Sequence, residues 1–114
     1  MVSDERSRTE IPPGTLYMLV LTTLARRGPL HGYGIAKDIE ETSDDVLRIE
    51  EGSLYPALQR MLIKGWVTAE WTRTAGNRRA RVYRLTPAGR RQAGIECAEF
   101  DRVMRAISQI IQPA

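Results

Sequence analysis

The chain has one cysteine among its 114 residues, Cys97, so no internal disulfide can form and a reducing compartment is expected. His31 is the only histidine. A metal centre built from histidines is therefore excluded, and Ser53 has no evident base to activate it. Cys/His metal spacing, a glycine-rich phosphate loop and paired carboxylates on a readable face are all missing, and with them the grounds for an enzyme or a cofactor. No apolar run approaches the roughly 18 residues that a membrane span needs. The polar start MVSDERSRTE lacks the apolar core of a signal peptide, which leaves the cytoplasm as the expected location.

The chain also lacks acid where its base is densest. Between Trp71 and Arg91 lie Arg73, Arg78, Arg79, Arg81, Arg84, Arg90 and Arg91, with no Asp or Glu among them. The acids gather elsewhere, at Asp38, Glu40, Glu41, Asp44, Asp45, Glu50 and Glu51. The net charge is only +3, so the distribution carries more meaning than the total: one side of the molecule attracts a polyanion. At 114 residues, with 42% hydrophobic side chains, there is material for one modest core, and a partner chain would add to its stability.

Residues 1–10 are polar and read as a loose arm, stopped by Pro12-Pro13-Gly14. With Thr15 as N-cap, Leu16, Leu19, Val20, Thr23 and Leu24 form one face of a first helix, which Gly28-Pro29 ends. A second runs from about Gly32 to Glu41 with Ile35, Ala36 and Ile39 inward; His31, lacking catalytic partners, is expected to cap or hydrogen-bond near its start. A third is expected with Ser53 as N-cap, Leu54, Leu58, Met61 and Leu62 as its core face, Pro56 in the first turn and Gly65 at its end.

Val67, Ala69 and Trp71 then alternate with Thr68, Glu70 and Thr72. After Ala75-Gly76-Asn77, Arg81, Tyr83 and Leu85 alternate with Val82, Arg84 and Thr86, so a β-hairpin with an arginine-rich tip is expected. Thr86 as N-cap and Pro87 at the first position open a long final helix. Along it Ala93, Cys97, Phe100, Met104, Ile107 and Ile111 keep a 4-3-4-3-4 spacing, widened by Val103 and Ile110. That heptad seam predicts self-association, against the plainer reading that the helix packs back on its own domain.

Three helices followed by a hairpin is the order of a winged helix-turn-helix, mostly α with a small β wing (α+β). The expected organisation is an arm at 1–10, the winged domain at 11–86 and a dimerisation helix at 87–114. On the third helix Ser53, Tyr55, Pro56, Gln59, Arg60 and Lys64 lie opposite the core. Ser53 and the first-turn N–H groups suit a phosphate, Gln59 an adenine edge, Arg60 guanine or phosphate, and Lys64 phosphate. Tyr55 suits a hydrogen bond, a sugar or a thymine methyl. Arg78, Arg79 and Arg81 repel one another and add nothing to a core, which points to contact with nucleic acid. A winged helix used only for protein contacts is the alternative, and such domains usually lose the basic wing.

Gly28-Pro29-Leu30-His31-Gly32-Tyr33, Gly52-Ser53-Leu54-Tyr55-Pro56-Ala57-Leu58, Gly65-Trp66-Val67 and the run from Arg78 to Gly89 together resemble the PadR-type transcriptional regulators across roughly residues 15 to 90. The resemblance implies a homodimer joined through the C-terminal helix, a palindromic double-stranded DNA operator, and repression often relieved by a small molecule. It also implies DNA contacts from the matched residues of the second and third helices and the wing. Tyr33 then lies near the DNA backbone or packs beneath it. The single C-terminal helix matches the shorter subfamily, in some members of which an aromatic residue lines a pore for flat hydrophobic or aromatic inducers. Phe100 is the only candidate here, and a plain core role is its other reading.

Overall fold

A computed structural model describes residues 9–11 and 14–112. The readings placed on residues 1–8, on Pro12-Pro13 and on the last two residues lie outside these. Four helices, α1 (Leu16–Arg27), α2 (Gly32–Thr42), α3 (Glu51–Ile63) and α4 (Pro87–Ile111), alternate with short strands β1 (Thr9–Glu10), β2 (Leu30–His31) and β3 (Leu47–Arg48) and the longer pair β4 (Val67–Arg73) and β5 (Arg79–Leu85). Two residues read as loose arm thus form a strand, pairing in parallel with β3.

The main sheet runs β2-β5-β4 and is antiparallel throughout. β2 pairs Leu30 with Tyr83, and β4 pairs Val67, Ala69 and Trp71 with Leu85, Tyr83 and Arg81. The hairpin turns at Thr74–Asn77, where the Asn77 N–H donates to the Thr74 carbonyl at 2.9 Å. Asn77 takes the left-handed conformation (φ 62°) that this turn requires. Leu21, Leu24, Ile35, Leu54, Leu58, Met61 and Val67 meet in a core closed by Tyr83 and Ala93.

His31 caps α2, its Nδ1 accepting from the Gly34 N–H at 3.0 Å. Asp38 on α2 binds Arg26 and Arg27 at the end of α1, at 2.9 and 3.0 Å, so part of the acidic stretch is occupied within the fold.

α3 begins three residues earlier than the cap expected at Ser53. Glu50 is the N-cap in an extended conformation, and its carbonyl accepts from the Ser53 and Leu54 N–H groups at 3.0 and 2.9 Å. Pro56 consequently sits in the second turn rather than the first, and the Gly52 carbonyl loses the donor four residues on. The end of α3 follows the expectation. Gly65 is left-handed, its N–H donates to the Leu62 carbonyl, and the Trp66 N–H reaches back to Met61, closing a Schellman motif.

Thr86 caps α4 and fastens it to the end of α3. Its hydroxyl accepts from the Gly89 N–H at 3.0 Å and lies 2.7 and 3.0 Å from the Gly65 and Trp66 carbonyls, while its N–H donates to the Trp66 carbonyl at 3.0 Å. A Cβ at Gly89 would stand 2.0 Å from the Trp66 oxygen, so only glycine permits this approach.

Candidate nucleic-acid interface

The candidate interface is assembled from α2, α3 and the hairpin. α3 buries Leu54, Ala57, Leu58 and Met61, which leaves Glu51, Gly52, Ser53, Tyr55, Pro56, Gln59, Arg60, Ile63 and Lys64 exposed. Helical periodicity divides them into three groups. Gly52, Pro56, Gln59 and Ile63 run along the outermost line. Tyr55 turns toward the wing, with Glu51 one turn before it on the same flank. Ser53, Arg60 and Lys64 occupy the opposite flank, so the residues read as one polar face are not one surface.

The two flanks differ in their supports. Arg60 donates from Nε to the Tyr17 hydroxyl and lies 5.7 Å from that ring's centroid. Lys64 lies 5.2 Å from the Trp66 centroid, and Trp66 meets Tyr17 edge-on at 5.6 Å. These rings form a shelf for both cations. Tyr17 was not legible as part of the site, because only the fold brings α1 beside Arg60.

On the wing side Tyr55 lies against Gly32, where an added Cβ would come within 2.7 Å of its ring. Burial, then the neighbouring Glu51 and Tyr83, push the Tyr55 phenol above its ordinary range, so it is a neutral hydrogen-bond donor at physiological pH. Tyr33 projects from the first turn of α2, 68% exposed, its ring centroid 6.3 Å from that of His31. Arg79 and Arg81 come from β5 and lie 4.6 and 5.8 Å from the Trp71 centroid. Arg81 is half-buried rather than at the tip, and its Nε has no acceptor among the described residues. Arg78 is exposed at the turn, its N–H donating to the Thr74 hydroxyl at 3.3 Å. Arg73 is held to the turn through Asn77. The hairpin's only ion pair among the described residues is Arg84 with Glu70 at 3.6 Å, below the tip.

The expected seam of α4 also divides. Ala93 is 7% exposed within its own domain's core, because the first turns of α4 pack on α1, so it needs no partner chain. Cys97 stands 3.4 Å from the Thr22 hydroxyl. Phe100 edges a shallow groove with Met18, Leu19 and Thr22. Beyond it Val103, Met104, Ile107, Ile110 and Ile111 remain exposed over the last turns. No described helix is long and apolar enough to cross a membrane.

A helix-turn-helix, a wing and a long terminal helix, in that order, define a winged-helix protein of the α+β class. The chain belongs to the transcriptional regulator PadR-like family, whose model matches residues 20–94. It is 47% identical over 73 residues to an uncharacterized 37.1 kDa protein in transposon TN4556 of Streptomyces fradiae. That match covers 64% of this chain and 19% of the relative, so the chain spans about a fifth of the relative's length. Among solved structures it resembles a transcriptional regulator from Clostridium thermocellum, with a TM-score of 0.79 and 26% identity over 87% of this chain and 95% of that one. It also resembles a PadR family transcription regulator from Clostridium difficile, with a TM-score of 0.73 and 27% identity over 86% and 99%.

Proposed function

We propose that this regulator is a cytoplasmic, homodimeric, sequence-specific repressor that binds a palindromic duplex operator and is released by a small hydrophobic or aromatic inducer. One observation carries the duplex reading: α2, α3 and the wing together bring Tyr33, Tyr55, Arg78, Arg79 and Arg81 around one cleft, with Gln59 exposed on α3 and no carboxylate between Trp71 and Arg91. In this reading α3 enters the major groove with Gln59 toward a base edge. Ser53 and Pro56 lie at its entrance, and Arg60 and Lys64 on their aromatic shelf meet one phosphate rail. The wing arginines meet the other. The exposed stretch from Phe100 to Ile111 supports pairing with a second copy, since an apolar stripe of that regularity is costly in water. A dimer sets two copies of α3 about one helical turn of DNA, ~34 Å, or a multiple apart. Phe100, beside the groove on α1, is the residue nearest to a place for an inducer.

Titrating binding to random duplex DNA against salt tests the reading. The affinity is expected to fall with a log–log slope of about 0.9 per neutralised phosphate. A flat response, or no binding to any duplex at low salt, refutes it.

A further inference from the structure

The chain has seven aromatic residues, two Trp, four Tyr and one Phe, and four of them stay well exposed. Tyr33 is 68% exposed, Trp71 57%, Tyr55 45% and Phe100 40%. Three of these four converge: Tyr33, Tyr55 and Trp71 line one cleft of about 570 Å³ between the start of α2, α3 and the wing. His31 and Tyr83 also line it, and Arg79 and Arg81 stand against Trp71. The Arg81 Nε is buried there without an acceptor among the described residues.

A duplex backbone is satisfied by cations, hydroxyls and N–H groups, and its bases are already stacked on one another. Three exposed aromatic side chains, one of them with guanidinium groups over its ring, exceed that need. They match what an unpaired base requires, a flat partner for the ring and a cation for the phosphate attached to it. We infer that the wing cleft binds an unpaired nucleotide of a DNA strand, the base stacking among Trp71, Tyr33 and Tyr55 and the phosphate held by Arg79 and Arg81. The site needs neither a second copy of the chain nor a double helix, although it shares Tyr33, Tyr55, Arg79 and Arg81 with the duplex reading.

Fluorescence anisotropy at low salt tests it on the full chain, with three probes: a labelled thymidine dodecamer, an abasic dodecamer of equal charge, and free thymidine monophosphate as competitor. The thymidine dodecamer is expected to bind at least ~10-fold more tightly than the abasic strand, within the range that base–aromatic stacking supplies. In Trp66→Phe, where Trp71 is the only tryptophan, that strand quenches the emission. Trp71→Ala brings the two dodecamers to equal affinity while its circular dichroism and urea midpoint stay as in the wild type, and Trp71→Phe keeps part of the preference. Equal binding of the dodecamers by the wild type, or a preference that survives Trp71→Ala, overturns the inference. Displacement by the monophosphate only in large excess places the site on a strand, whereas equal affinity overturns that assignment in favour of free nucleotides. A duplex of the same length run in parallel separates the two readings: failure on duplex alone removes the operator proposal and leaves the cleft standing.

Discussion

Gly89→Ala places a methyl group 2.0 Å from the Trp66 carbonyl oxygen and 2.8 Å from Leu85 Cδ1. On helix propensity alone the change stabilises, by roughly 1 kcal/mol, because alanine is the better helix former. The collision opposes it. The methyl and the carbonyl have to part by about 1 Å, and that carbonyl accepts from the Thr86 N–H while lying 3.0 Å from the Thr86 hydroxyl. Overpacking of this kind costs about 1–3 kcal/mol, and each hydrogen bond drawn out adds about 1 kcal/mol. The clash therefore wins, with a net loss of about 2 kcal/mol. Urea unfolding at one fixed protein concentration, which removes the mass-action term of any self-association, reads it as a lowered midpoint with an unchanged slope. Thr86→Val is the companion variant: it keeps the shape, removes the hydroxyl and costs about 1–2 kcal/mol. A Gly89→Ala protein as stable as the wild type would show that α4 is not pinned to the end of α3.

Arg78→Ala with Arg79→Ala is expected to weaken all duplexes alike and to flatten the salt slope by about 1 to 2; a sequence-selective loss with an unchanged slope would show that the wing reads bases instead. Gln59→Ala is expected to relax preference at one position in each half-site, worth about 1–3 kcal/mol of discrimination, and an unaltered preferred sequence in a selection experiment counts against its role. Met104→Asp is expected to give single chains in sedimentation, since an unpaired charge in an apolar seam is costly; an intact dimer removes the seam from the interface.

Periodicity made the helices legible. Leu54, Leu58 and Met61 are buried as expected, and the Thr86-Pro87 and Gly65 signals sit where they were read because each acts through its own backbone. Ser53 misled for a reason of the same kind. Serine is a favoured cap, yet Glu50 enters from an extended segment and supplies the carbonyl that starts the helix, so residue preference gave way to chain path. Strands of two residues, such as Leu30–His31 and Leu47–Arg48, carry no alternation to read. Contacts made across the fold were equally invisible. Nothing local to Arg60 announces Tyr17, 43 positions away, and nothing in the heptad spacing says that Ala93 would be covered by its own domain.

The shelf formed by Tyr17 and Trp66 draws Arg60 and Lys64 to one side of α3, and the wing keeps its arginines on the other. What lies between is the uncharged row of Gly52, Pro56, Gln59 and Ile63. In the proposed duplex reading, grip and address fall to different side chains. On that reading, a lineage that altered Gln59 or Ile63 would exchange one set of target genes for another while losing little of its hold on DNA, and drift along that row would be a short route from one regulator to its neighbours.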